Sequence, residues 1–459
     1  MQRKMTTALL AGALLAGSTG HSFADTTEIE QMRAEMARLQ AQVTQLQAQQ
    51  QGDWMNDARR AEVEGLIADV LSDANNRATL LQEGALAGID EKGKIFLVSG
   101  DGEFSANFSG ILQSRYVWNS LDTDNTSGTR GSESLSGIDI RRAKFAIKGT
   151  VGDGWGYKLQ FQANRNTANV TADDAYITKG LGDGWTLVVG SAKLPFARQE
   201  LISASRQVAA DRSLVNEFFT LNRSDQVQVR YGTDNMKFAI AASDGGNANF
   251  SGALADASND FAVTARGDWM LIGDDWGASK HEFGGTDEDA LFVGAAVHYE
   301  VAEGSAAGLP ENGLAWTIDA LYKTGAIGLT AAFFGNHTEN GGATADSDQY
   351  GLYVQGSYDL GNDWDIFGRW EYIDDDAVAG AGTDELQAVT VGVNHHFSKK
   401  VKFTADVIWI YEGDNPSADG NFLNGGELSS ALGLSSTAFS ASDDHDDQIA
   451  LRLQIQLLF

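Results

Sequence analysis

Apolar and polar residues follow three different rhythms along this chain. The first is a single apolar run, Ala8 to Gly17, preceded by Arg3 and Lys4 and followed by Ser22, Phe23 and Ala24. The second places Ile29, Met32, Met36, Leu39, Val43 and Leu46 at alternating steps of three and four, with Gln, Arg, Glu and Ala between them. The third takes over from about Lys94, where the period drops to two. In Gln448 to Phe459, residues Ile449, Leu451, Leu453, Ile455, Leu457 and Phe459 share one side of an extended chain, opposite Gln448, Ala450, Arg452, Gln454, Gln456 and Leu458. Ala143, Phe145 and Ile147 oppose Arg142, Lys144, Ala146 and Lys148 in the same way. Tyr157, Leu159, Phe161 and Ala163 oppose Lys158, Gln160, Gln162 and Asn164, and Val227, Val229 and Tyr231 oppose Gln226, Gln228 and Arg230.

Each rhythm predicts an element. The basic flank, short apolar core and small residues before Asp25 have the order of a secretory signal, residues 1–24. The core is about ten residues, against the roughly 20 needed by a membrane-spanning helix. The 3,4 spacing over residues 25–51 is the a and d seam of a short coiled coil, which at under three heptads needs partner helices to be stable. Residues 52–93 read as a helical or irregular linker, including a helical piece up to Ile89 broken by Gly65 and Gly84. Residues 94–459 read as strands with one greasy and one hydrophilic side. No later run of 18 apolar residues exists, so the remaining backbone arrangement that satisfies its hydrogen bonds in lipid is a closed barrel.

Turns support that reading. Gly152-Asp153-Gly154-Trp155, Gly182-Asp183-Gly184-Trp185, Gly273-Asp274-Asp275-Trp276 and Gly361-Asn362-Asp363-Trp364 repeat one plan. Gly and Asx supply the positive φ of tight hairpins, and a following Trp suits the membrane edge. Between them lie longer polar stretches: Leu121 to Ile138, Asp244 to Asp260, Gly273 to Asp289, Ala302 to Gly313, Asn336 to Gln349, Asp374 to Glu385 and Glu412 to Asp447. Short turns toward the periplasm and long loops outside are expected of an outer-membrane barrel, here an all-β transmembrane barrel of 16 antiparallel strands behind an N-terminal periplasmic coiled coil.

Composition removes other classes. There is no cysteine, so neither a disulfide framework nor a thiolate metal site exists, although export would permit disulfides. With 33 basic and 63 acidic residues the formal charge is −30, and loss of Arg3 and Lys4 makes the exported chain more acidic still. Such a chain does not hold nucleic acid by neutralising phosphates. Acidic loops can instead be bridged by divalent cations to outer-membrane lipid and lipopolysaccharide. The pair His395-His396 cannot share a metal on a strand, because neighbours point to opposite sides. Asp122 to Glu133 echoes a calcium loop but carries Ser127 where the sharp turn needs glycine. No serine–histidine arrangement suggests catalysis, and no cofactor is expected.

The order Arg141-Arg142-Ala143-Lys144, Trp155 to Gln160, Asp174-Ala175-Tyr176-Ile177, Val189 to Phe196 and Asp211-Arg212-Ser213-Leu214 resembles the phosphate-selective porin O and P family. The match covers about a third of the barrel, and Lys193, Pro195, Phe196 and Arg212 are its most specific part. The resemblance implies a 16-stranded homotrimeric channel in the outer membrane, in which arginines and lysines along the lumen guide anions. Ala192 stands where the family usually has an aromatic, and Leu201 to Val208 departs from its Ser- and Thr-rich text. The constriction is therefore expected to differ in width and charge.

Strand parity nominates Arg115, Arg142, Lys144, Lys148, Lys158 and Arg230 as pore-lining cations. The long segment after Pro195, read as an infolded loop, adds Arg198, Arg206, Arg212 and Arg223. A ring of such charges in a confined pore favours anions, whereas Asp173, Asp174 and Asp406 would oppose that if they face inward. Three readings follow: a diffusion porin for small hydrophilic solutes with an anion or phosphate bias, a sugar-type porin needing an aromatic slide, and a noncatalytic envelope tether or adhesin anchored by a barrel.

Overall fold

The computed structural model describes residues 34, 37–42, 85–90, 94–121, 133–163, 169–248, 250, 261–301, 310–340, 346–375, 385–413 and 448–459. The chain divides into two units, Met1–Leu80 and Leu81–Phe459. In the first, residues 37–42 are helical and exposed. The expected signal, the rest of the heptad seam, most of the 52–93 linker and the calcium-like loop lie outside the described residues.

The second unit begins with a small hairpin, β1 (Leu86–Ile89) and β2 (Ile95–Val98). Leu86 to Ile89 is thus a strand where the sequence suggested helix. Sixteen strands follow in the described residues: β3 (Ser105–Leu121), β4 (Glu133–Val151), β5 (Trp155–Ala163), β6 (Val170–Gly182), β7 (Trp185–Lys193), β8 (Arg223–Gly232), β9 (Met236–Ser243), β10 (Phe261–Ile272), β11 (Ala290–Val301), β12 (Pro310–Thr324), β13 (Ile327–Asn340), β14 (Ser347–Gly361), β15 (Trp364–Asp375), β16 (Glu385–Ser398), β17 (Val401–Gly413) and β18 (Gln448–Leu458). Each pairs antiparallel with the next, and β18 pairs with β3 to close the barrel.

Closure is completed by the last residue. Phe459 N–H donates to Gly110 O at 3.2 Å, and Gly110 N–H donates to Phe459 O at 2.8 Å. The Phe459 ring lies over Gly110, where a Cβ would come within 2.1 Å of it, so glycine lets the ring lie there and any larger residue has to push it aside. Beyond Gly110, β2 takes over as the partner of β3.

The alternation seen in the sequence sorts the two sides of the wall. Ile449, Ile455, Leu457 and Phe459 are exposed outward, while Gln448, Arg452, Gln454 and Gln456 are buried inside. Polar side chains point inward because a closed barrel gives them water and one another, whereas lipid gives them nothing. Connections after β4, β6, β8, β12, β14 and β16 are two or three residues long and share one end with the C-terminus; this is the turn end. Asp183 and Gly184 at φ 50° and 85°, and Asn362 and Asp363 at φ 52° and 65°, confirm the Gly-Asx hairpins. Trp155, Trp185 and Trp364 face outward beside them.

The Gly273-Asp274-Asp275-Trp276 motif behaves differently, and both expectations for it need correction. The connection from Gly273 to Asp289 is long but lies at the turn end, since it joins β10 to β11. Trp276 is no membrane-edge residue: its ring packs on Phe292, 5.4 Å between centroids, beside buried Met270, Ala290 and Leu321. Trp269, inside the end of β10, takes the outward place instead.

Candidate functional site

Between β7 and β8 the chain leaves the wall and crosses the lumen. Leu194 to Asn222 contains two short helices, α1 (Arg198–Leu201) and α2 (Leu214–Phe219); Ser213 caps α2 by accepting from Asn216 N–H at 2.9 Å. The apolar side of this segment, with Phe196, Leu214, Val215, Phe218 and Phe219, is buried against inward residues of the far wall, among them Phe334, Tyr353, Ile373, Leu386, Ile408 and Ile410. The lumen is therefore not wet all round. One half carries a dry seam beneath the infolded segment, which explains why strands β13 to β17 turn hydrophobic inward near their loop ends.

The polar side of the segment is fixed by buried ion pairs. Asp211 sits among three guanidiniums: Arg142 at 2.7 Å, Arg115 at 3.3 Å, and Arg141 in direct contact. Burial resists ionisation of Asp211, but these arginines outweigh it and hold the carboxyl well below the usual carboxylate range. Arg369 donates to the carbonyls of Asp211 and Arg212, and Asp406, paired with Arg452, accepts from Ala210 N–H at 2.9 Å. At the other end Arg198 pairs with Asp268 and Asp319, which Arg266 also holds.

Two β-bulges decide which charges reach the lumen. Gln113 pairs with Arg142 while Ser114 pairs with Ile140, so Arg141 is an extra residue and both arginines turn inward. Gln160 pairs with Asp174 while Phe161 pairs with Ala172, and Asp173 and Asp174 likewise share the inner side. Strict parity finds only one residue of each pair. Arg223 then bridges both aspartates, Lys144 pairs with Asp173 at 2.7 Å, and Lys158 pairs with Asp174.

What remains open is a cavity of about 1360 Å³ between the infolded segment and the β3–β10 wall. It reaches from Lys144, Lys193, Arg212 and Arg223 at the level of the segment to Gly184, Gly232, Lys237, Lys399 and Phe459 at the turn end. Twelve basic side chains line it against two acidic ones, Asp174 and Asp268. At the level of the infolded segment the cations are partly neutralised: Lys193 and Arg212 each lie 2.9 Å from Glu200. Burial opposes the charge of Glu200, yet Arg212, Lys193 and Arg223 bring its carboxyl down to about 2. Lower down, Arg206, Arg230 and Lys237 make no salt bridge among the described residues. Arg230 leans on Gln228, and Lys237 stands 4.0 Å over the Trp276 ring.

The ten cations named from the sequence thus fall into three groups. Lys144, Lys158, Arg206, Arg212, Arg223 and Arg230 line the cavity. Arg115, Arg142 and Arg198 are buried in ion pairs that anchor the segment, and Lys148 is exposed on β4 outside the cavity lining. Lys94, Lys237, Arg266, Lys399 and Lys400 line the cavity and were not anticipated. Arg266 was legible by parity with Thr264 and Asp268; the lysines sit in or beside turns, where parity says little.

The sequence model of the phosphate-selective porin O and P family matches residues 112–273 and 275–429. The chain belongs to that family. Among solved structures, this porin resembles an anion-selective porin from Comamonas acidovorans, at 13% identity and a TM-score of 0.53, over 78% of this chain and 100% of that one. It also resembles the outer-membrane channel DcaP of Acinetobacter baumannii (12%, TM-score 0.52, 82% and 100%) and OmpF of Salmonella typhi (11%, TM-score 0.51, 77% and 98%). At these identities the likeness is one of fold. No curated protein matches the chain. Family and architecture together make it an outer-membrane porin with a water-filled channel.

Proposed function

We propose that this porin is a non-catalytic, anion-biased diffusion channel for small hydrophilic solutes, with the basic cavity as its solute path. One observation carries the reading: a chain of formal charge −30 gathers twelve cations against two acids around its open lumen. In a confined, partly dehydrated passage such an excess concentrates anions and repels cations. Arg206, Arg230 and Lys237 offer unshared charge at the turn end, and Lys144, Lys193, Arg212 and Arg223 form the narrow step, where neighbouring carboxylates moderate binding so that an ion can leave. Phosphate or another oxyanion suits paired guanidinium and ammonium donors. A sugar path would need aromatic rings spaced along the open wall, and cations dominate there instead.

The short turns face the periplasm in this reading, which also puts the heptad seam of residues 25–51 in that compartment, where three copies would trimerise alongside three barrels. The outward Trp155, Trp185, Trp269 and Trp364 suit the lipid boundary, and the acidic loops suit lipopolysaccharide bridged by divalent cations. Reversal potentials of single channels in a potassium chloride gradient test the proposal. Anion preference is expected, together with block of chloride current by millimolar phosphate; cation preference would overturn it.

A further inference from the structure

The half of the lumen opposite the basic passage is closed from both ends. The infolded segment enters from the loop end, and the β10–β11 connection turns inward from the turn end to meet it. Glu282 is the meeting point, and its residue is only 1% exposed. Its Oε1 accepts from Gln199 Nε2 at 2.8 Å, its Oε2 accepts from Val208 N–H at 3.0 Å, and its own N–H donates to Arg206 O at 3.2 Å. Gln199 cannot reverse its amide freely, because its Oε1 already accepts from Ser213 N–H at 2.8 Å. Next to Glu282, Phe283 packs against Val208, Ala209 and Phe367.

The connection is seated on the wall by close backbone approach. Ser357 Oγ donates to Glu282 O and accepts from Gly284 N–H, each at 3.2 Å. A Cβ at Gly284 would stand 2.1 Å from Ala326 O, and one at Gly328 would stand 2.7 Å from Glu282 O. Gly285 and Thr286 N–H both donate to Gly325 O at 2.9 Å. A turn held this way is a fixed part of the lumen.

We propose that Glu282 is a positioning residue for the constriction. It braces Gln199, Arg206 and Val208 from the turn end, shuts the β11–β17 half of the bore, and confines solutes to the cationic half. The width of the passage and the placing of the Arg206 guanidinium then depend on a residue that touches no solute. This inference rests on the channel reading above, and it extends it by naming what holds the path to one side.

Glu282→Gln tests it at constant shape. The two donors face different carboxylate oxygens, and in glutamine one of these becomes an NH2, so either Gln199 Nε2 or Val208 N–H meets a donor instead of an acceptor. Adding Gln199→Glu restores the set: the carboxylate introduced at position 199 accepts from Ser213 N–H and from the amide introduced at position 282, whose oxygen accepts from Val208 N–H. Single-channel conductance, open-channel noise and chloride-to-potassium permeability are measured for wild type, E282Q, the Q199E/E282Q pair and Phe283→Ala. In E282Q and F283A, conductance should rise about two-fold and noise should increase, as a second gap opens beside Lys323 and Lys402. The pair should return conductance and noise toward wild type. Unchanged conductance and noise in E282Q and F283A, even with lowered thermal stability, would reduce Glu282 to a structural contact and overturn the proposal. If E282Q fails to assemble, F283A and the exchanged pair still decide. A wild-type channel without anion preference would defeat the functional reading, while the conductance changes would still judge the brace.

Discussion

At the scale of single residues, the charges divide into those that hold and those that guide. Asp211 is a holding residue, and its loss leaves Arg115, Arg141 and Arg142 buried without their shared partner. Asp211→Ala should destabilise the barrel by about 3–5 kcal/mol and raise open-channel noise, as read from urea unfolding and single-channel records. Acid should loosen the interior in two steps. His281 accepts from the Lys323 ammonium at 2.8 Å; burial, Lys323 and Arg206 push its pKa down to about 4 from 6.5. The released connection takes up a proton near 6.5 and the docked one near 4, so docking weakens as pH falls from 6.5 to 4. Glu200 is lowered from 4.5 to about 2, so its contribution is complete above pH 4.5 and fades as pH drops toward 2. Conductance recorded from about pH 7 to about pH 3 should stay level, then climb in that order; a flat profile would contradict both assignments. The sequence displayed Arg142 by parity but hid the inward turn of Arg141, and it named Asp173 and Asp174 without showing that both face inward, because a bulge is a property of two paired strands.

Elements were legible where one side meets lipid. The last strand was readable residue by residue, since lipid outside and a polar interior impose period two over its whole length. Phe459→Ala removes a half-exposed ring from Gly110 and should cost about 1–2 kcal/mol, seen as a lower temperature for loss of the compact form on heat-modifiability gels. Gly110→Val, which has to push the Phe459 ring aside, should lower that temperature at least as far in the same assay. Strand ends were less legible: β4 begins at Glu133, β12 at Pro310 and β13 continues to Asn340, inside stretches read as loops. Above the membrane both sides of a paired strand are polar, so alternation disappears while hydrogen bonding continues. The β10–β11 connection misled for a related reason. Its Gly-Asp-Asp-Trp opening copies the tight turns, but Gly284 and Gly285 serve close approach to Gly325 and Ala326, a contact visible only once the strands are paired.

For the whole molecule, barrel class and strand number followed from periodicity, length and family resemblance, and six of the ten nominated cations line the cavity. The division of the lumen did not follow from them. It depends on which walls the infolded segment covers, and that is set by partners far apart in the chain, such as Phe219 with Phe334 and Ala210 with Asp406. The result is an acidic protein whose open half-lumen is basic and whose other half is sealed by hydrocarbon and buried ion pairs. Because the chain has no cysteine, single cysteines can report this division directly. Thr186→Cys and Ser203→Cys stand on the open side, Thr390→Cys on the covered side. A negatively charged methanethiosulfonate reagent should react quickly at positions 186 and 203 and lower the single-channel current, and leave position 390 unmodified. Equal reaction at 390, or none at 186 and 203, would contradict a one-sided, cation-lined path.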